Sequence, residues 1–111
     1  MADLTLDPGA FTARLVLEAP EETPDGQGGM EIAFTAFASL WARIEPVRAG
    51  VSEAAGAEPV TITHRVWMRF RADVAAGMRL RKGTRLLDIR ACRDPDETGR
   101  YIVCDCEEAG A

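Results

Sequence analysis

The chain of 111 residues is short of the side chains from which most enzyme sites are built. It has one histidine, His64, and three cysteines, and aromatic residues make up only 6% of it. No Gly-rich phosphate loop, serine elbow or paired-carboxylate motif occurs. His64 falls on the apolar side of its segment, where a satisfied core residue is the ordinary reading. No catalytic residue and no cofactor are therefore assigned. Long apolar runs are missing too: no window approaches the ~18 residues of a membrane span. The first residues lack the basic start and apolar stretch of a secretory signal. The expectation is a cytosolic chain with no membrane partner.

An odd number of cysteines argues against a disulfide framework and for a reducing compartment. Cys104 and Cys106 would share one face of a strand. With residues 85–91 paired to 100–106, Cys92 would stand roughly 13 Å from Cys104 at ~3.3 Å per residue. Three thiols so spread give zinc no four-ligand set. They are expected as small core residues, with no metal.

What the chain does have is charge in blocks. Residues 1–60 carry three basic and ten acidic side chains, residues 64–93 nine basic and two acidic, and residues 94–111 one basic and six acidic. The net charge of −5 argues against general affinity for phosphate backbones. It leaves room for a local basic surface that meets an acidic one on a neighbour. Hydrophobic residues at 47% and charged residues at 28% suit one globular domain spanning 1–111.

The strongest pattern lies at residues 61–71, TITHRVWMRFR. Val60, Ile62, His64, Val66, Met68 and Phe70 alternate with Thr61, Thr63, Arg65, Trp67, Arg69 and Arg71. A period of two predicts a strand with one buried and one outward face. The outward face sets three arginines around a tryptophan, residue types enriched at interface hot spots. The same pattern also suits a tryptophan packed under a loop with arginine stems over it. A third reading is a small barrel that stacks single-stranded nucleic acid, for which this face offers only Trp67.

Alternation also predicts strands over 11–19, 30–45 with a bend or bulge near Thr35–Ala36, 78–81, 85–91 and 101–106. Between them, residues 20–29 read as a mobile acidic loop with Glu21, Glu22 and Asp25. Pro46 is expected to stop the second strand. Residues 47–59 read as a long loop holding one short helix, with Ser52 as N-cap, Glu53 in its first turn, and Gly50 and Gly56 at its bounds. The fold class is all-β: a small barrel or sandwich of about six antiparallel strands with long loops and one short helix.

The order of these segments resembles the phage head–tail joining proteins, the head-completion stopper or adaptor family of long-tailed phages, prophages and gene transfer agents. The resemblance covers roughly residues 11–108. It is carried by Arg14-Leu15-Val16-Leu17, by Leu40-Trp41-Ala42-Arg43-Ile44-Glu45-Pro46, and by Gly50, Glu53 and Ala55. Thr63-His64-Arg65-Val66 with Arg69-Phe70-Arg71 continues it, then Met78-Arg79-Leu80, Leu87-Asp88-Ile89, Asp94 and the strand into Cys106-Glu107. Residues 1–10 form an N-terminal arm with Asp3 and Asp7 where members carry a short basic start. Phe34 stands where they often carry tryptophan.

The resemblance implies a structural virion protein at the neck of a phage-like particle, assembled in the bacterial cytoplasm. It implies a homo-oligomeric ring under the portal or adaptor that closes the DNA exit channel after packaging and offers the tail a docking surface. Double-stranded DNA would pass through the lumen without sequence-specific binding. Arg65, Trp67, Arg69 and Arg71 would form the subunit interface. Gly50, Ser52, Glu53 and Gly56 would mark the channel loop, and Glu21, Glu22 and Asp25 the contact with tail or adaptor. A nucleic-acid-binding small barrel and a generic protein-interaction domain are the alternatives from other classes.

Overall fold

Apolar residues at every second position leave each strand with one face to bury, and six such strands close on themselves. The computed structural model describes residues 10–53 and 59–109, those of 49–53 and 59 as backbone only. The strands are β1 (Ala13–Pro24), β2 (Met30–Glu53), β3 (Pro59–Arg69), β4 (Arg79–Lys82), β5 (Arg85–Arg93) and β6 (Tyr101–Glu108). They form a closed antiparallel barrel in the order β1-β2-β3-β6-β5-β4, with β4 pairing back onto β1. No α-helix occurs among the described residues.

The interior is the set that alternation points inward. Leu15, Leu17, Ala42, Val66, Leu80, Leu87, Cys104 and Cys106 are fully buried, and Met68 and Ile89 almost so. Closure removes the sheet edges that an open sheet of this size would expose. The turn from β4 to β5 is two residues long, since Lys82 pairs with Arg85. Gly83 supplies the φ of 61° that such a turn needs at its first position.

β2, at 24 residues, is longer than the barrel that it helps to close. Its residues 30–35 pair only with β1 residues 19–24, in six successive pairs from Ala19↔Thr35 to Pro24↔Met30. This makes a two-stranded ribbon about 20 Å long at ~3.4 Å per residue. Its tip is a tight turn in which Asp25 Oδ1 accepts from the backbone N–H of Gln27 at 2.7 Å and of Gly29 at 3.0 Å. At the other end of β2, Gly50–Glu53 pair only with residues 59–62 of β3, so a second ribbon leaves the opposite end of the barrel.

These ribbons correct two expectations. Residues 20–24 are strand, so Glu21 and Glu22 lie on the ribbon and only residues 25–29 form a loop. Residues 47–53, expected as loop and helix start, are also strand, with Ser52 opposite Val60 and Glu53 opposite Pro59. Ser52 is therefore no N-cap. Residues 54–58, with Gly56, lie outside the described residues, as does most of the arm at 1–10. Pro46 does not end β2: it faces His64, and four steps along β2 to Gly50 match two along β3. The missing N–H is accommodated by a bulge instead. The bulge expected near Thr35–Ala36 is present at the adjoining Phe37, where Leu17 faces Ala38 and Glu18 faces Ala36.

Candidate assembly surface

On the outer face of β3, Arg65, Trp67 and Arg69 follow one another at two-residue spacing, as alternation requires. Trp67 is half-buried between Arg43 of β2 and Val103 of β6 in the ladder, and its indole N–H is buried with no acceptor. Arg65 lies 3.6 Å from Asp105, which also takes Arg93 at 2.7 Å. Arg71 stands beyond the strand and forms a two-pronged pair with Asp73, both bonds 3.0 Å. That pair holds the Asp73 carboxyl below the usual carboxylate range. Of the four residues, Arg71 is paired with Asp73 and Arg65 shares Asp105 with Arg93.

Arg69 is different. It is exposed, and among the described residues it makes no ion pair. It lines a groove of about 670 Å³ together with Phe11, Arg14, Leu40, Trp41 and Phe70. Arg14 pairs directly with Trp41 across β1 and β2, and its guanidinium sits 5.0 Å from the ring centroid. Such stacking leaves the cation's N–H groups free for an anion while the ring is partly covered. Trp41 is still 53% exposed and Phe70 44%. Phe70 was expected on the buried face of β3. It lies past the strand's last residue, where its N–H bonds the Arg100 carbonyl at 3.0 Å, and the alternation no longer binds it.

The ribbon is the chemical opposite of this groove. Glu21, Glu22, Asp25 and Glu31 make no ion pair among the described residues, and Met30 at 58%, Ile32 at 63% and Phe37 at 54% are exposed beside them. Elsewhere acids and arginines find each other. Glu18, nearly buried on the barrel wall where the ribbon starts, takes Arg79 at 2.6 Å and Arg81 at 3.0 Å. Arg79 also covers Phe34 at 4.1 Å from the ring centroid, so one guanidinium ties the ribbon's root to the barrel.

His64 belongs to a third cluster, at the barrel end. Its Nδ1 is 2.8 Å from the Thr63 hydroxyl, and its Nε2 3.7 Å from Glu108. Arg85 bonds Glu108 at 2.8 and 3.2 Å and, ahead of the nearby His64, holds that carboxyl below its ordinary value. This is a structural latch joining β3, β5 and β6.

The cysteine register departs from expectation. β5 runs on to Arg93, which faces Val103, so Cys92 lies directly opposite Cys104, with sulfurs 3.6 Å apart rather than at opposite ends of the hairpin. The Cys104 thiol, bonded to Cys92 and buried, is pushed far above the usual thiol range, and the bond to Cys104 holds Cys92 below it. Burial raises Cys106 as well. No group of three metal-ligating side chains gathers among the described residues.

Sequence reasoning missed the Arg14–Trp41 groove. Each residue is out of phase with a buried leucine, Leu15 and Leu40, so alternation already turned both outward; only the pairing of β1 with β2 brings them together. The structural comparisons cover nine-tenths or more of the chain. A chain in the virion of a native gene transfer agent particle superposes with a TM-score of 0.66 at 26% identity, over 90% of this chain and 96% of that one. The solution structure of protein SF1141 from Shigella flexneri 2a gives 0.69 at 24% identity, over 95% and 98%. No curated protein matches by sequence. The family model described as phage head completion protein matches residues 6–109, nearly the whole chain. The chain belongs to the phage head completion protein family, and it is a structural component of the virion that contacts other virion proteins.

Proposed function

We propose that the protein is a head–tail connector of the stopper type, which forms a ring under the portal or adaptor, closes the DNA exit channel after packaging and offers the tail its docking surface. The observation that carries this reading beyond family membership is the separation of unpaired charge. Among the described residues, the ribbon carries Glu21, Glu22 and Glu31 without an ion pair, and a groove on the barrel wall carries Arg14 and Arg69 without one. A ring contact is heterologous, so each subunit needs two different and complementary patches. The protein needs no catalytic step for this role.

The channel-closing segment in this reading is the end of the β2–β3 ribbon, around Gly50, Ser52, Glu53 and Gly56. A ribbon paired on one edge alone can bend about its bulge at Pro46, which a barrel strand cannot. The acidic tip with Glu21, Glu22 and Asp25 meets a neighbouring subunit, the adaptor or a tail protein. The net charge of −5 suits a lumen that lets double-stranded DNA slide without gripping phosphate. Assembly takes place in the bacterial cytoplasm.

Electron microscopy of particles from the source, with the gene intact and deleted, tests the role. Tailless heads that have lost their DNA are expected in the deletion, and normal tailed particles would overturn the reading. Removing residues 50–56 should give heads that leak. Heads that stay sealed would assign closure to another segment.

A further inference from the structure

We infer that the acidic β1–β2 ribbon of one subunit docks into the Arg14–Trp41–Arg69 groove of a second copy of the same chain. The inference rests on the ring proposed above and names the contact that builds it.

Three observations lead to a second copy as the occupant. First, ion pairing is nearly complete on the barrel. Among the arginines with described side chains, only Arg14, Arg48 and Arg69 make no ion pair with another described residue, and two of these three line one groove. Second, the ribbon carries the matching deficit. Glu21, Glu22 and Glu31 have no cation among the described residues, and Asp25 is engaged only by backbone N–H groups of its own turn. A groove with unpaired guanidiniums and a ribbon with unpaired carboxylates on one chain satisfy each other when copies meet head to tail.

Third, the apolar parts match in kind. Trp41 and Phe70 are exposed in the groove, and Met30 and Ile32 are exposed on the ribbon. Aromatic anchors ringed by arginine are the residues that most often dominate binding energy. A two-stranded ribbon is at best marginally stable in water, and a groove wall would give it the third surface that it lacks. Pro20 and Pro24 remove two N–H donors from β1 of the ribbon, which discourages strand-to-strand pairing and favours side-chain docking.

The contact is not made within the one subunit. The ribbon leaves the barrel where Glu18 pairs with Arg79 on β4, and it runs on from there as paired strands 19–24 and 30–35. The groove, by contrast, lies between β1–β2 and the end of β3. Repeated in one direction, such a contact gives a ring if the rotation closes.

Charge exchange within the full chain tests it, with mass measured by light scattering across concentration and salt. The unaltered chain should self-associate, and 0.5 M salt should weaken this by at least about tenfold because the pairs are partly solvated. Reversing the groove (Arg14→Glu with Arg69→Glu) or the ribbon (Glu21→Lys, Glu22→Lys, Glu31→Lys) should each abolish association. A chain carrying both sets should regain it. All five sites are solvent-facing, so each variant should keep the parent's urea midpoint, which checks the fold. A chain that stays monomeric up to about 1 mM, or a doubly reversed chain that fails to reassociate, would overturn the inference and leave the groove to an adaptor or tail protein. Variant particles separate this from the head-completion role. If deletion yields tailless heads while both reversed chains complete heads normally, the docking contact falls and the role stands.

Discussion

β1 and β2 run side by side for twelve residue pairs, yet the two halves of that ladder obey different rules. From Ala13↔Ala42 to Leu17↔Ala38 the strands turn Leu15, Leu17, Leu40 and Ala42 into the core. From Ala19↔Thr35 onward the same ladder has no third strand and buries almost nothing. At the end of the barrel half Glu18 pairs with both Arg79 and Arg81, while the acids of the ribbon half make no ion pair among the described residues. A lone monomer gains nothing from twelve strand residues that fold without a core. The barrel is the part that makes the subunit stable, and in the docking proposed above the ribbon is the part that makes it associate.

The comparison breaks most easily at the core. Leu80→Ala in the barrel should lower stability by about 2–5 kcal/mol, the usual cost of a cavity in a packed interior. Ile32→Ala on the ribbon should stay within ~0.5 kcal/mol, as for an exposed side chain. Urea unfolding of both checks this; equal losses would mean that the ribbon is part of the core and the division is false.

The junction between the halves should come next. Glu18→Ala strands two guanidiniums on the barrel wall and is expected to cost about 2 kcal/mol, below the loss for a fully buried pair because Arg81 reaches water. Amide exchange should speed up along 19–24 and 30–35 more than in β6. Uniform loosening would show that Glu18 supports the barrel alone and not the ribbon's root.

How far the sequence revealed all this follows from burial. β3 was legible over residues 60–69 because one of its faces is enclosed, and burial imposes the period of two. The first ribbon was legible only in its β2 half, residues 30–34: Pro20, Glu21 and Glu22 are exposed, so no periodicity is required of them and they read as a loop. The outward triplet Arg65, Trp67 and Arg69 was readable from one strand. The groove was not, for it needs the register of β1 against β2, which no single segment contains. The cysteines failed for a related reason. The connection from β5 to β6 is longer than the turn signal at 94–99 implies, so Arg93 faces Val103 and Cys92 faces Cys104, and alternation carries no mark of this shift.

That shift gives a chemical test of barrel integrity. Cys92 is partly exposed and shares a hydrogen bond with Cys104, while Cys104 and Cys106 are fully buried. A small alkylating reagent should label Cys92 first, and the other two on the order of a hundredfold more slowly, since they require local opening. The Leu80→Ala chain should lose this selectivity, and ribbon variants should keep it. Even labelling of all three in the native chain would place the β5–β6 wall among the loosely held parts of the molecule.

The smallest effect expected is on pH dependence, and it too divides barrel from ribbon. Arg85 holds Glu108 below its unfolded value, so the folded state favours the ionised carboxylate. A group with a depressed folded pKa stabilises above the unfolded value, about 4.3 for glutamate, and that contribution is lost as pH falls through the folded one. Glu108→Gln should therefore remove a few tenths of a kcal/mol at neutral pH and nothing once the carboxyl is protonated, as suits a partly solvated pair. Glu22→Gln removes a ribbon carboxylate that makes no ion pair among the described residues, so the monomer's stability at neutral pH should stay within ~0.5 kcal/mol of the parent's. If Glu22→Gln instead lowered stability only at concentrations where the chain associates, the missing cation would be one that a neighbouring subunit supplies.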